Sequence, residues 1–173
     1  MALSLIDDEG PERFSMRRLG KALGADPMAA YRHFTDQQDL FDEIAAAMFA
    51  ELEMEKLPWQ GEWRELMYAY GHRLRSVLQR HPNAVPIFAT RPVRSPQAVA
   101  IGDRMISLLR DAGFEPPTAL QVARCLAEYV SGHMLSWTAA VTAARSRKPE
   151  PNTPPTTCSR PPPTARPEAT TSI

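Results

Sequence analysis

The sequence predicts an all-α protein, and three observations lead to that prediction. Apolar residues recur every three or four positions along most of residues 1–148, which is the period of an amphipathic helix. No run of alternating β-branched residues is long enough to predict a strand. The helical pattern ends abruptly at Pro149, where the composition changes. We therefore expect a helical body followed by a tail without regular structure.

The first two helices are predicted from their ends. Residues 2–9 place Leu3 and Ile6 on one face, and Gly10 follows at a position that suits a left-handed cap. Residues 16–23 form the second helix, with Ser15 as its N-cap. Its inward-facing residues are predicted to be Met16, Leu19 and Leu23.

A third short helix follows a tight turn at residues 24–26. Asp26 is a good N-cap, and Pro27 stands at the first helical position, where its missing N–H costs nothing. This helix is expected to end at about Phe34. Two short helices joined by a glycine-containing turn predict a helix-turn-helix over about residues 15–34. The pattern alone is weak evidence, because pairs of short helices occur in many all-α domains.

Four longer helical segments are predicted after the motif. The fourth helix begins with a capping box at Thr35 and runs to about Lys56, just before Pro58. The fifth covers about 61–80, and His81-Pro82 ends it. After a proline-interrupted piece at 83–90, further helices cover Ser95 to Gly113 and about 117–144. Their inward-facing residues are predicted to be Leu40, Ile44, Met48, Leu52, Trp63, Leu66, Tyr70, Leu74, Val99, Ile106, Leu109, Leu120, Ala123, Ala127, Val130, Met134, Trp137 and Val141.

Charge is balanced overall but is segregated near the N-terminus. The 173 residues include 20 basic and 20 acidic side chains. Residues 13–33, however, set five basic side chains against Asp26 alone. Such a local excess of positive charge suits a nucleic-acid surface, whatever the net charge of the chain. The basic residues are Arg13, Arg17, Arg18, Lys21 and Arg32.

Several classes of protein are not expected from this sequence. No stretch approaches the roughly 18 apolar residues of a membrane span, and the N-terminus lacks the basic start of a signal peptide. We therefore expect a cytoplasmic protein without a membrane partner. No metalloprotease, nucleophile-elbow, P-loop or CxxC motif is present, so we expect neither an enzyme nor a metal or cofactor site.

Three regions are predicted. Residues 1–45 form a helix-turn-helix domain, and 46–148 form a second helical domain, which the family resemblance described below implies is the regulatory and dimerisation domain. Residues 149–173 hold eight of the 17 prolines and six threonines, with almost nothing to bury. This last segment is predicted to be a disordered tail, because it cannot offset its conformational entropy by packing.

Candidate DNA contacts follow from how a helix-turn-helix docks. The second helix of the motif lies in the major groove, and the first crosses the backbone. Arginine can pair with guanine or phosphate, hydroxyl and imidazole groups donate to phosphate, and small apolar groups contact the thymine methyl. Tyr31 has an alternative role as a ring packed on the supporting helix. The candidate DNA-binding residues are Ser15, Arg17, Arg18, Pro27, Met28, Ala29, Tyr31, Arg32, His33 and Gln37.

The segment 15–40, taken as a whole, resembles the DNA-binding region of the tetracycline-repressor (TetR) family. The matching residues are Ser15, Arg17, Leu19, Leu23, Gly24, Tyr31, His33, Phe34 and Leu40. The likeness continues through the segment 89–92 (ATRP) and the helices that follow, to about residue 145. The resemblance implies a dimeric repressor whose helical domain binds a small molecule, which moves the two DNA-reading heads out of register with the operator.

The same resemblance implies a ligand pocket and also departures from the family. Gln37 replaces a basic residue at the fourth helix, and Ala30 replaces a leucine. Ile87 stands where tetracycline repressors have a magnesium-binding histidine, so magnesium–tetracycline is not the expected inducer. The proline-rich tail replaces the family's last helices, which implies a weakened or absent dimer. The candidate ligand-binding residues are Tyr70, Phe88, Thr90, Arg91, His133 and Trp137.

The sequence thus predicts a ligand-responsive transcriptional regulator. It is expected to be a repressor that binds a palindromic double-stranded DNA operator as a homodimer and is released by a small-molecule inducer. The alternative is a small-molecule-binding helical protein that has lost repressor function together with the C-terminal dimerisation helices.

Overall fold

The computed structural model describes residues 2–22, 34, 36–91, 93 and 95–146. Within these ranges the chain is helical and contains no strand, so the prediction of an all-α fold is confirmed. Short 3₁₀ turns at Pro11–Arg13, Met54–Lys56 and Pro82–Ala84 connect some of the helices. The α-helices are α1 (Ala2–Glu9), α2 (Met16–Ala22), α3 (Gln37–Ala50), α4 (Trp63–Arg80), α5 (Val85–Thr90), α6 (Pro96–Asp111) and α7 (Pro116–Ser146).

The core is built around α4 and α7. Leu66, Leu74 and Leu78 of α4 are fully buried, as are Leu109 of α6 and Met134 of α7. The 31 residues of α7 lie against α4, α5 and α6 in turn, so this one helix ties the C-terminal part together. Burial of each such leucine contributes about 1.5–3 kcal/mol.

The N-terminal helices share this core. Ile6 of α1 is fully buried, and the ring of Phe14 packs on Phe41 of α3 with the centroids 5.9 Å apart. Gly10 has a φ of 81°, as the predicted left-handed position after α1 requires. The Ser15 hydroxyl accepts the backbone N–H of Arg18 at 3.3 Å, which makes Ser15 the predicted N-cap of α2.

The helix α3 is the fourth helix of the sequence prediction, and both of its predicted limits were wrong. The N-cap is Asp36, one residue later than predicted, and its carboxylate accepts the backbone N–H groups of Gln38 at 2.7 Å and Asp39 at 2.9 Å. The helix ends at Ala50 rather than near Lys56. Glu53 adopts a left-handed conformation (φ 47°), and the buried indole N–H of Trp59 donates to the Met54 carbonyl at 2.9 Å. These two features turn the chain before the predicted end.

Three residues predicted to face inward are partly exposed: Val99 (55%), Leu120 (45%) and Trp137 (42%). In α6 the buried residues Ile101, Met105 and Leu109 recur every four positions. Val99 precedes Ile101 by two, about 200° around the helix at 100° per residue, and therefore faces the opposite way. At the start of α7 the buried residue is Ala119 and not Leu120, so the Leu120 side chain is partly exposed to solvent. Leu23 lies outside the described residues. The remaining predicted core residues, including Ile44, Met48 and Val130, are buried or half-buried.

The predicted third helix, Pro27 to Phe34, lies almost wholly outside the described residues, as does the predicted tail at 149–173. Both therefore stay predictions. None of the helices in the described part of the chain is both long enough and apolar enough to cross a membrane.

Candidate functional site

The first candidate surface is the basic face of α2. Arg17, Arg18 and Lys21 are all exposed. Arg18 is held in place by Glu9, 3.0 Å away, and by the Arg13 carbonyl at 3.2 Å. Among the described residues no ion pair neutralises Arg17 or Lys21, so both are available to a polyanion.

Two other predicted DNA contacts lie at helix starts. Ser15 is exposed at the N-cap of α2, and Gln37 is half-buried at the first position of α3. The first N–H groups of a helix favour phosphate. In this structure the N–H of Arg18 is taken by Ser15, and those of Gln38 and Asp39 are taken by Asp36. Ser15 and Gln37 would therefore contact phosphate through their side chains or other backbone N–H groups. The other candidates, which lie outside the described residues and stay predictions, are Pro27, Met28, Ala29, Tyr31, Arg32 and His33.

The second candidate site is an apolar cleft of about 580 Å³ between α3 and the helices that follow it. Its volume falls in the range of small-molecule sites. Its walls are formed by all five helices from α3 to α7, so a bound molecule would contact most of the core elements at once. The apolar lining residues are Phe49, Met54, Phe88, Ala89, Val93, Ala98, Ile101, Gly102, Met105, Ile106, Leu120, Ala123 and Ala127.

The polar groups in the cleft are few, and most are already engaged. The Thr90 hydroxyl donates to the Pro86 carbonyl at 2.7 Å, and Arg124 and Glu128 form an exposed pair at 2.9 Å. Tyr70 and Ser131 are each only 9% exposed. Burial raises the pKa of Tyr70 to about 12, so its phenol is neutral and keeps its proton.

The structure brings four of the six predicted ligand residues together in this cleft: Tyr70, Phe88, Thr90 and Arg91. His133 and Trp137 are exposed on α7 and do not line it. Sequence reasoning missed Ser131 and the pair Arg124 and Glu128. Their spacing of three and four places them on one face of α7, but only the packing shows that this face borders a cleft.

Arg91 connects the cleft to α3. Its guanidinium donates to the Asp42 carboxylate at 2.5 Å and to the Gln38 backbone carbonyl at 3.2 Å, and it also contacts the Gln38 side-chain oxygen. It lies over the ring of Phe41, 5.5 Å from the centroid. The helix α3 directly follows the predicted helix-turn-helix at about residues 15–34, which we call the DNA-reading segment. Arg91 therefore lines the cleft and also binds the helix to which this segment is attached.

A second connection between the N-terminal helices and the core centres on His81. Its Nδ1 lies 2.7 Å from Asp7 of α1, and its Nε2 lies 3.0 Å from Glu51, just after α3. Arg80 also donates to Glu51, at 2.8 Å. The Asn83 amide donates to the Asp7 backbone carbonyl at 2.7 Å. The residues at the end of α4 therefore fasten α1 and the end of α3 together.

These features define a helical protein with a basic face on α2 and an apolar cleft. The contacts of Arg91 with Gln38, Asp42 and Phe41, here called the Arg91 clamp, join that cleft to the start of α3. Residues 1–44 match the family described as bacterial regulatory proteins, tetR family. Residues 57–166 match the family described as tetracyclin repressor-like, C-terminal domain. The chain therefore belongs to the tetR family of bacterial regulatory proteins, a family of regulators and not of enzymes, as the sequence predicts.

Individual proteins agree with this assignment. The chain is 32% identical to an HTH-type transcriptional regulator of Saccharopolyspora erythraea, over 76% of this chain and 55% of the relative. It is 27% identical to an HTH-type transcriptional repressor of Streptomyces coeruleorubidus, over 76% of this chain and 48% of the relative. The chain thus spans about half the length of these curated relatives.

A solved structure with a similar fold is a TetR variant from Acinetobacter baumannii AYE in complex with minocycline. It superposes with a TM-score of 0.76 at 27% identity and covers 82% of this chain and 79% of that chain.

Proposed function

We propose that this chain is a ligand-responsive transcriptional repressor that binds a palindromic DNA operator as a homodimer and is released by a small molecule. The main support for this proposal is the Arg91 clamp, because the Arg91 side chain lines the cleft and also binds Asp42 of α3. The names of the relatives support DNA-binding regulation, and the minocycline complex of the similar structure supports a ligand in the helical domain.

Release follows from differential affinity. A molecule in the cleft that shifts the Arg91 side chain transmits the shift to Gln38 and Asp42 of α3 through the contacts of the guanidinium. The α3 helix can then shift, and it takes the DNA-reading segment with it. The ligand therefore favours the conformer whose head spacing does not fit the operator. It weakens DNA binding only to the extent that it binds this conformer more tightly.

The test is selection of bound sequences from a random DNA pool by the purified full chain at near-physiological salt. We expect an inverted repeat whose half-sites are about one helical turn, roughly 34 Å, apart. Recovery of a single half-site would mean that the head reads DNA without a dimer. No enrichment by a folded protein would contradict DNA-binding regulation and leave the alternative of a helical ligand-binding protein.

Arg17 gives a sharper test of the reading head. If Arg17 pairs with guanine, Arg17→Ala lowers affinity for the selected site by about 1–3 kcal/mol and relaxes one base position. A uniform loss on every DNA sequence would instead make Arg17 a phosphate contact. Lys56→Ala is the control, because Lys56 is also an exposed basic residue but is paired with Glu53, at 2.6 Å, and is not part of α2.

A further inference from the structure

The polar groups of the cleft determine what chemistry it can accept. Among the described residues, its charged side chains are already paired: Arg91 with Asp42, and Arg124 with Glu128. The Arg124–Glu128 pair is exposed and costs little to separate. Arg91, however, is only 19% exposed. An ionic ligand would have to separate Arg91 from Asp42 or bring its own charge into an apolar site uncompensated, and both cost free energy. An uncharged ligand avoids both costs.

The Tyr70 hydroxyl has no hydrogen-bond partner among the described residues, although the side chain is nine-tenths buried in the cleft wall. The hydroxyl oxygen itself is not fully buried. A ligand acceptor at this position therefore replaces water and gains the net value of one hydrogen bond. The Ser131 hydroxyl, on a side chain that is also 9% exposed, likewise has no partner among the described residues. Because Tyr70 keeps its proton, its hydroxyl is available as a donor, and the ligand group that uses this donor is an acceptor such as a carbonyl oxygen.

The donor set does not fit a divalent metal. Magnesium prefers oxygen ligands in an octahedral arrangement. Ile87, at the position where tetracycline repressors place a histidine, has no ligating atom and is 4% exposed in the core. The Thr90 hydroxyl donates to Pro86, and the Glu128 carboxylate accepts from Arg124. The described lining thus offers no uncommitted carboxylate or imidazole for a cation.

We propose that the cleft binds an uncharged, largely apolar molecule without a metal ion, and that Tyr70 selects it by donating a hydrogen bond to an acceptor such as a carbonyl oxygen. This inference rests on the proposed function in one respect, that the cleft is the effector site. Binding is therefore measured without DNA, so that failure of this inference is distinguishable from failure of operator recognition.

The probe is Nile red, an uncharged polycyclic dye with a carbonyl group, whose emission reports polarity and hydrogen bonding. We expect it to bind the full chain. We expect Tyr70→Phe to weaken binding about fivefold, the effect of one neutral hydrogen bond, and to move the bound emission to shorter wavelength. Tyr68→Phe is the matched control: Tyr68 is on the same helix, is 70% exposed and does not line the cleft.

A blocking variant locates the dye. A Cβ at Gly102 meets no heavy atom within 4 Å, so Gly102→Phe adds a side chain at the cleft wall without a backbone clash. We expect this variant to lose Nile red binding at least about tenfold, which corresponds to about 1.4 kcal/mol. Ala100→Phe, exposed on the same helix and away from the cleft, should leave binding unchanged. Binding that survives Gly102→Phe or is insensitive to Tyr70→Phe would overturn the assignment.

Charge and metal are tested with two further probes. The anionic dye anilinonaphthalene sulfonate should bind more weakly than Nile red, and its binding should not respond to Gly102→Phe. Tetracycline, a chelating polycycle, should show either no binding or equal binding in Mg²⁺ and in EDTA. Failure of Nile red to bind, preference for the anion, or tetracycline binding that requires Mg²⁺ would each overturn the proposal.

Discussion

At the scale of single residues, His81 links α1, the end of α3 and the end of α4. The groups that face it are Asp7 from α1, Glu51 after α3, and Arg80 from its own helix, which shares Glu51. Burial on its own would lower the pKa of His81. Hydrogen bonds to Glu51 and Asp7 outweigh burial, and the pKa is raised above its ordinary 6.5. The imidazolium form, with two N–H donors, fits the two carboxylates.

This network predicts a pH dependence of stability. Because the folded pKa of His81 is raised, its contribution is fully present below pH 6.5 and is lost as pH rises through the folded value. For Glu51, burial would raise the pKa, but hydrogen bonds from Arg80 and His81 lower it. The Glu51 contribution is therefore present above pH 4.5 and is lost as pH falls.

We therefore expect His81→Gln to destabilise the protein more at about pH 6 than at about pH 8.5. The measurement is the free energy of unfolding in urea for the wild type and the variant at both values. His72→Gln is the control, because His72 is exposed on the same helix and contacts neither carboxylate. Equal destabilisation at the two pH values would mean that the imidazole acts only through packing.

At the scale of helices, the N-cap of α3 lies one residue later than the sequence predicts. Asp36 accepts two backbone N–H groups in the structure, whereas the sequence suggests Thr35. We expect Asp36→Ala to lower the free energy of unfolding by about 1 kcal/mol, as for other N-cap substitutions. Thr35→Ala should cost clearly less, and the two variants are compared by urea unfolding. A larger loss of unfolding free energy for Thr35→Ala than for Asp36→Ala would show that Thr35 is the N-cap.

The helices also show which helix limits can be predicted from the local sequence and which cannot. The limits of α4 are predicted to within two residues, because its apolar stripe and the His81-Pro82 stop lie within the segment. The end of α3 is not predicted, because Leu52 continues the spacing of four past Ala50. The turn depends on Glu53 and on the Trp59 indole, a contact formed only by folding. Likewise Tyr70 and Arg91 follow from family resemblance, whereas the Ser131 face of α7 follows only from packing.

At the scale of the whole molecule, the N-terminal and C-terminal parts are joined by few polar contacts around a shared core. The His81 network fastens α1 and the end of α3 to α4, and the Arg91 clamp fastens the start of α3 to the cleft. Of the two, only the Arg91 clamp borders the cleft, and it contacts the start of α3, whereas Phe49, the α3 residue that lines the cleft, lies near the end of that helix. A signal from the cleft to the DNA-reading segment therefore has its shortest route through Arg91.

This route predicts the outcome of a coupling experiment. In the wild type, saturating operator DNA should weaken Nile red binding by a factor between about 5 and 150, the usual size of allosteric coupling, and the dye should weaken DNA binding by the same factor. Arg91→Ala should bring this factor close to one. The quantity to compare is the ratio of the Nile red dissociation constants with and without DNA. Removing Arg91 also changes the cleft wall, but a direct effect on dye affinity is the same in both measurements and cancels in this ratio.

Arg104→Ala is the matched control for this experiment. Arg104 also pairs with a carboxylate, Glu55 at 3.4 Å, and lies over an aromatic ring, that of Trp59, at 4.3 Å. It neither lines the cleft nor touches α3, so the coupling factor should stay at its wild-type value. Arg91→Lys separates charge from geometry: lysine can keep the ion pair with Asp42 but cannot also reproduce the planar fork at Gln38, so an intermediate factor is expected. A coupling factor unchanged in Arg91→Ala would show that the signal travels through the apolar core.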